Sequence, residues 1–383
     1  MTALIGPQEA THRFQLETKN GPQDALFRSE SPVAFGGVVK AVDDRLTADA
    51  AIQRTQQGER LLYQGDFHNA RQLVTAMVRR LARGRSPKTM TPLDAFIKER
   101  RLREREQETV GGILVALDAN YALDLKRAPD VKEACVQVWG PSQTPWTVVP
   151  LRTLMGMMGA AEWRRRGLQV PGVQGKLHPH YGVFTPTRHE YVGLLREIPS
   201  PAGKVVFDIG TGTGVLAFVL LQKGAASVVA TDAEPRSVAC ARENARLLGL
   251  SARMEVREQA LFPEGKADLV LCNPPWIPAE PKTRLDRAIF DEGGKFLSAF
   301  LTQLPLHLKP GGEAYLFLSN FPELLGLRDE AFLDKAFADA GLKVSWKKST
   351  KPSHPKAADS EDPLHPLRAK EVTSLYCLAP ALG

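Results

Sequence analysis

Cysteine is scarce in this chain of 383 residues: Cys135, Cys240, Cys272 and Cys377 are the four, and no two share a CxxC spacing. That scatter excludes a disulfide framework and a thiolate metal site, and leaves reduced, buried thiols as the expectation. Long apolar runs are missing too, none approaching the roughly 20 residues that a membrane-spanning helix needs. The opening stretch "MTALIGPQEATHRF" has no basic segment followed by an apolar core, so a cytoplasmic protein is expected. There is no internal repeat and no extended low-complexity tract, which argues against a solenoid or a fibrous protein. Nor do Ser, His, Cys and Asp fall into a pattern that suggests a nucleophilic triad. His178 and His180 in "HPHYGVF" lack accompanying metal ligands and read as structural or substrate-lid residues.

What is abundant is positive charge, and it is unevenly placed. The net charge of +7 comes wholly from residues 1–185, with 26 Lys and Arg against 19 Asp and Glu, since residues 186–383 carry 24 of each. Arg79, Arg80, Arg83, Arg85, Lys88, Lys98, Arg100, Arg101, Arg103 and Arg105 crowd into 79–105. Such a cluster either tracks phosphates or forms a solvated helix face offset by Glu104, Glu106 and Glu108. On the first reading, Arg100, Arg101 and Arg103 contact RNA or DNA.

The hydrophobic pattern divides the chain. Residues 1–58 show no firm period and are expected to be irregular. From 59 to 177 the pattern is mainly helical. Phe67, Ala70, Leu73, Met77 and Leu81 recur at helical spacing after Asp66 as N-cap and before Gly84 as a stop. Further helices are expected at about 92–106 and in "LRTLMGMMGAAEWRRRG", and a hairpin turning at Asp118–Asn120. From 178 to 383 strands and helices alternate: "KVVFDI", "ASVVATD", "RMEVRE", "DLVLC", "EAYLFLS" and two late strands, with helices between them. "KPSHPKAADSEDPLHP" reads as an exposed loop. This alternation predicts a doubly wound, mostly parallel α/β sheet with its ligands at the carboxyl ends of the strands.

Two motifs sit at such ends. "DIGTGTG" (208–214) follows the first strand, and its glycines let the backbone turn sharply and approach a ligand closely. Its GxGxG spacing departs from the GxGxxG of a pyrophosphate loop. Asp232 closes the second strand, where a carboxylate can accept from two vicinal ribose hydroxyls or simply cap the next helix. The second motif, "NPPW" (273–276), ends the fourth strand. Two prolines fix φ and stiffen the corner, Trp276 offers a flat face, and the Asn273 side-chain oxygen and the Pro274 carbonyl are acceptors.

These segments, "VVFDIGTGTGVLA", "VVATDAEPRSVACARENARLLGL", "ADLVLCNPPWIP" and "LKPGGEAYLFLS", resemble in order and spacing the class I S-adenosylmethionine-dependent methyltransferases of the (Asn/Asp)-Pro-Pro-aromatic type, over residues 178–383. The resemblance implies a seven-stranded Rossmann-like sheet and S-adenosylmethionine as cofactor. Gly210, Thr211, Gly212 and Gly214 would pass under its methionine part, Asp208 would place its amino group, and Asp232 and Ala233 would lie at the ribose. The Asp that the family offers near adenine is replaced by "EQALFP", so Gln259 or a backbone group takes that place. Asn273, Pro274, Pro275 and Trp276 would form the catalytic corner for a planar nitrogen, with Asn273 also beside the cofactor.

"GVFTPTRHEYV" partly resembles the entry segment of release-factor-type glutamine methyltransferases, with Thr187 interrupting the expected Pro-Arg pair. By that match Arg188 and Glu190 would touch substrate. The charge cluster favours an RNA or DNA base as methyl acceptor; a protein glutamine in a translation factor or ribosomal protein is the alternative. A noncatalytic nucleic-acid-binding protein is the third reading, opposed by the intact glycines, Asp232 and Asn273.

Overall fold

The computed structural model describes residues 10–30, 35, 39–82, 90–187, 189–352 and 364–381. By compactness the chain divides into two units, one of Met1–Lys88, Ile97–Glu162 and Lys282–Arg284, the other of Thr89–Phe96, Trp163–Pro281 and Leu285–Gly383. Arg83, Gly84, Arg85, Lys88, Arg188 and the greater part of the expected 351–366 loop lie outside the described residues. Among the described residues no helix is long and apolar enough to cross a membrane.

The first unit contains the expected helices, including Phe67–Ala82 and most of Pro92–Gly111 and Leu151–Arg166. Asp66 caps the first of them, its Oδ1 accepting from the His68 amide at 2.8 Å. These helices accompany a six-stranded sheet, so the unit is mixed α/β, and the described part of residues 1–58 holds three strands and the helix Ala48–Gln56. The strand order is Ala10–Thr18, Gly21–Ser29, Trp146–Pro150, Ile113–Asp118, Arg60–Tyr63, Val39–Val42. The first two form a hairpin across Lys19-Asn20, with Gly21 at φ +88°, as an Asn-Gly turn favours. The inner strands are short and buried on both faces, "RLLY" throughout, so they show no alternation to read. The expected hairpin after Asp118 turns where predicted, the Asp118 amide donating to the Ala122 carbonyl at 3.0 Å, but the return is a single bridge from Leu117 to Leu123. Residues 113–118 pair instead with 60–63 and 146–150.

The second unit is the expected doubly wound sheet. Its strands in chain order are Val205–Ile209, Ser227–Asp232, Met254–Glu258, Ala267–Cys272, Leu308–Ser319, Leu342–Thr350 and Thr373–Pro380. They lie in the order third, second, first, fourth, fifth, seventh, sixth. Only the seventh runs antiparallel to its neighbours. Apolar residues fill both faces: Val206, Leu269, Leu271 and Phe317 on one, Phe207, Val270, Leu316 and Leu318 on the other. The chain reverses direction of growth between the first and fourth strands, which is where an open α/β sheet leaves a crevice.

Candidate active site

Strand register brings the two motifs together. Ile209 pairs with Cys272 across the first and fourth strands, and with Thr231 across the first and second. Gly210, Asn273 and Asp232 are the next residues along, so they leave the sheet side by side at its carboxyl edge.

The glycine turn is anchored by backbone bonds. The amides of Gly210 and Thr211 both donate to the Thr231 carbonyl at 2.9 Å. Gly210, Gly212 and Gly214 have φ of +73°, +55° and +87°, values that disfavour any residue with a Cβ. A Cβ on Gly214 would also lie 2.5 Å from the Phe218 ring, whereas the space above Gly212 is open. The first glycine thus keeps its face toward Phe296, whose ring tip lies 4.0 Å from where a Gly210 Cβ would be. Phe296 was not singled out from the sequence. Its place is set by Asp291, whose two carboxylate oxygens accept from the amides of Phe296 and Leu297 at 2.8 and 3.0 Å. The signal was present as "DEGGKF", an acid before two glycines and a helix.

Asp208 is almost wholly buried below this turn. The Thr211 hydroxyl donates to its Oδ2 at 2.6 Å, while its Oδ1 is buried without a hydrogen-bond partner. Burial pushes this carboxyl up to about 6. A buried acceptor with nothing to accept from is costly, and an ammonium group would relieve it. The open glycine face and that oxygen therefore suit the methionine end of S-adenosylmethionine.

Asp232 is half-buried. Its Oδ2 accepts from the Gly212 amide and its Oδ1 from the Glu234 amide, both at 2.9 Å. It thus caps the following helix and braces the glycine turn, with the Ser237 side chain as a further donor to the carboxylate. Burial raises its pKa. Ala233 is exposed just beyond it. The Gln259 amide donates to the Asp232 carbonyl at 3.0 Å, and its side-chain Nε2 donates to the Phe262 carbonyl at 2.6 Å.

At the fourth strand's end Pro274 is buried, and Asn273, Pro275 and Trp276 are half-buried. The Trp276 indole Nε1–H is forked, reaching Asn273 Oδ1 at 3.0 Å and the Phe317 carbonyl at 3.1 Å. Glu190 opens the short helix Glu190–Gly193, and the next residue, Tyr191, packs edge-on against Phe317 at 6.0 Å. The entry segment therefore runs beside the same corner.

The two histidines are structural. The His178 amide donates to Asn244 Oδ1 at 2.7 Å, and its ring Nδ1 lies 2.6 Å from the Arg164 carbonyl. His180 meets Glu243 at 2.9 Å, and Glu243 also pairs with Arg164. Asn244, fully buried, donates in turn to the Thr213 carbonyl at 3.1 Å, tying the entry segment to the glycine turn. Among the described residues no group of His, Cys, Asp or Glu could hold a metal.

The arginine cluster is partly engaged within the first unit. Arg103 pairs with Glu99 at 2.9 Å while staying exposed, as do Arg101 and Arg105, and Arg100 is half-buried with Nη1 out of solvent.

The sequence profile of the Methyltransferase small domain family matches residues 174–339. Over 161 residues the chain is 32% identical to a Methanocaldococcus jannaschii protein assigned by name to the protein N5-glutamine methyltransferases, covering 40% of this chain and 79% of that one. The chain belongs to this methyltransferase family. It is an S-adenosylmethionine-dependent N-methyltransferase, as its cradle and motifs implied. The methyltransferase is also 38% identical over 144 residues to the release factor glutamine methyltransferase of Cereibacter sphaeroides, covering 34% of this chain and 51% of that one. With the ribosomal protein L11 methyltransferase of Symbiobacterium thermophilum it shares 40% identity over 79 residues, 21% of this chain and 26% of that one. The methyltransferase thus spans about half the length of the second relative and a quarter of the third.

Proposed function

We propose that this methyltransferase acts on the side-chain amide nitrogen of a glutamine in a protein of the translation machinery. The observation that carries the reading is the similarity, over 161 and 144 residues, to proteins named as glutamine N5-methyltransferases. A nucleic-acid base, which the charge distribution favours at first, is supported less well, because the named relatives act on protein glutamine.

The residue roles follow from the chemistry. S-adenosylmethionine, when bound, supplies a methyl group already activated on a sulfonium. Asp208 would accept from the amino group of its methionine part, Asp232 from its ribose, and Gln259 Oε1 from its adenine. An amide nitrogen has its lone pair delocalised into the carbonyl and is a poor nucleophile. Asn273 Oδ1 and the Pro274 carbonyl hold its two hydrogens, so that the lone pair is turned out of conjugation and toward the methyl carbon. As the new N–C bond forms, the bond from methyl to sulfur would break with its electron pair staying on sulfur, which leaves as a neutral thioether, and the positive charge passes to nitrogen, where these two acceptors stabilise it. The excess proton then leaves to solvent, and no general base is required. Glu190, beside Tyr191 and Phe317, and Arg188 before it contact the acceptor chain, and the first unit grips the protein that carries it.

The test is digestion of the labelled product. Purified enzyme is incubated with methyl-labelled cofactor and a cell extract, and the product is split between nuclease and protease. Label that survives nuclease, disappears with protease and releases methylglutamine on complete proteolysis is the expected result. Label lost to nuclease would return the acceptor to a nucleic-acid base.

A further inference from the structure

A tryptophan in the aromatic position of the catalytic corner invites a stacking role, in which its ring lies flat on the acceptor. The geometry points to something different. The indole nitrogen of Trp276 can only donate, and the atom it meets at 3.0 Å on Asn273 must therefore be the amide oxygen. The same N–H reaches the Phe317 carbonyl at 3.1 Å on the neighbouring fifth strand. The ring is half-buried, packing with Phe296 and Leu318 in one apolar cluster and with Ile277, Phe290 and Phe321 in another. Phe317 is held by its own buried packing against Tyr191.

We propose that Trp276 is a positioning residue: its indole N–H locks the side-chain amide of Asn273 in the one orientation that presents Oδ1, rather than Nδ2, to the acceptor nitrogen. An asparagine amide is nearly symmetric in shape, and a flipped amide would aim a donor at a nitrogen that must be held by acceptors. The forked bond removes that choice, since a flip would set two N–H groups against each other. It occupies one lone pair of Oδ1 and leaves the second for the acceptor's hydrogen. Anchoring to Phe317 ties the amide to the sheet rather than to the loop that carries it. The inference rests on methyl transfer at Asn273 but not on the acceptor being glutamine.

Replacing Trp276 with Phe removes the N–H together with part of the ring, whereas 3-benzothienylalanine keeps the bicyclic ring and deletes only the N–H. Methyl transfer is followed into a fixed extract protein fraction over serial dilutions, and cofactor affinity by calorimetry. Both variants should lower the plateau rate about tenfold, the scale expected from misorienting one reacting group, with the dilution giving half-maximal rate and the cofactor affinity unchanged. A stacking role would instead shift the half-maximal dilution under Phe and leave the benzothienyl variant active, and either result overturns the proposal. The hydrogen bond has its own readout that needs no acceptor. Of the five indole N–H resonances of the chain, the one lost in Trp276→Phe should move upfield in Asn273→Ala and stay downfield in Asn273→Asp, which keeps an oxygen in place. An unmoved resonance in Asn273→Ala would refute the bond itself, whatever the substrate proves to be.

Discussion

Protonation of Asp208 should set the pH dependence of cofactor binding. Burial pushes its carboxyl from 3.8 up to about 6, so holding the charge in the cofactor-free protein costs about 3 kcal/mol at about 1.4 kcal/mol per unit. A cofactor ammonium against the unpartnered Oδ1 favours the charged form and pulls that pKa back down. Affinity should therefore be flat above pH 7 and weaken below 6, being about tenfold lower at pH 5 than at pH 7. The raised pKa of Asp232 acts in the same direction, so Asp208→Asn is the control that isolates one group. Calorimetry in two buffers of different ionisation enthalpy should detect close to one proton released per cofactor bound near pH 5 and almost none at pH 8. The stability effect has the opposite sense. A carboxyl whose folded pKa is raised disfavours the folded state above that pKa and relieves the cost as pH falls from about 6 toward 4. Without cofactor, Asp208→Asn should then melt higher than the parent at pH 7.5, and cofactor should stabilise it far less. Affinity that stays level from pH 8 to pH 5, or an equal slope in the Asn variant, would refute this account of the pocket.

The catalytic sheet was legible because its signals were local. Each strand is a short apolar run closed by a turn, and each helix has its own stop, so the strands fell within a residue or two of expectation, as at Val205–Ile209 and Ser227–Asp232. The glycine turn and the Pro-Pro corner announced themselves because backbone demands there admit few residues. Three kinds of feature were not legible. Strands such as "RLLY", buried on both faces, have no alternation, and the six-stranded sheet joins residues far apart in sequence, so the first unit read as helices with an irregular lead. Partners of polar side chains depend on tertiary placement: Asn244 sits in an ordinary amphipathic helix, and nothing local shows that it joins the entry segment to Thr213. Trp276 is a further case, since its sequence context offers a ring and only the neighbouring strand supplies the Phe317 carbonyl that its N–H meets. Charge density alone does not name a partner: clustered arginines suit a polyanion track, yet Arg103 also meets Glu99 one turn away.

Three further perturbations probe the site. Asp232→Ala should weaken cofactor binding by about 1–3 kcal/mol through lost ribose hydrogen bonds and a loosened Gly212; equal affinity in calorimetry would remove Asp232 from the cofactor site. Reversing the exposed pair Arg101 and Arg105 to Glu should leave methyl transfer to the protein fraction unchanged, and a large loss with steep salt dependence would revive a phosphate-tracking surface. Asn273→Ala is the most direct test of the chemistry. On the proposed mechanism its side-chain oxygen is one of the two acceptors for the planar nitrogen, and in the transition state that nitrogen bears positive charge it lacks in the ground state. The contribution of Oδ1 therefore grows as the reaction proceeds, and its loss should appear in turnover rather than in cofactor binding. Turnover should fall by roughly two to three powers of ten, the range seen when one preorganised transition-state contact is deleted. Cofactor affinity should hold, because Asp208 and Asp232 are anchored through Thr211, Gly212 and Glu234 without Asn273. If turnover instead stays within a few-fold of the parent while the protein remains folded, the acceptor nitrogen is oriented by some other group, and the catalytic reading of the Asn-Pro-Pro-Trp corner fails with it.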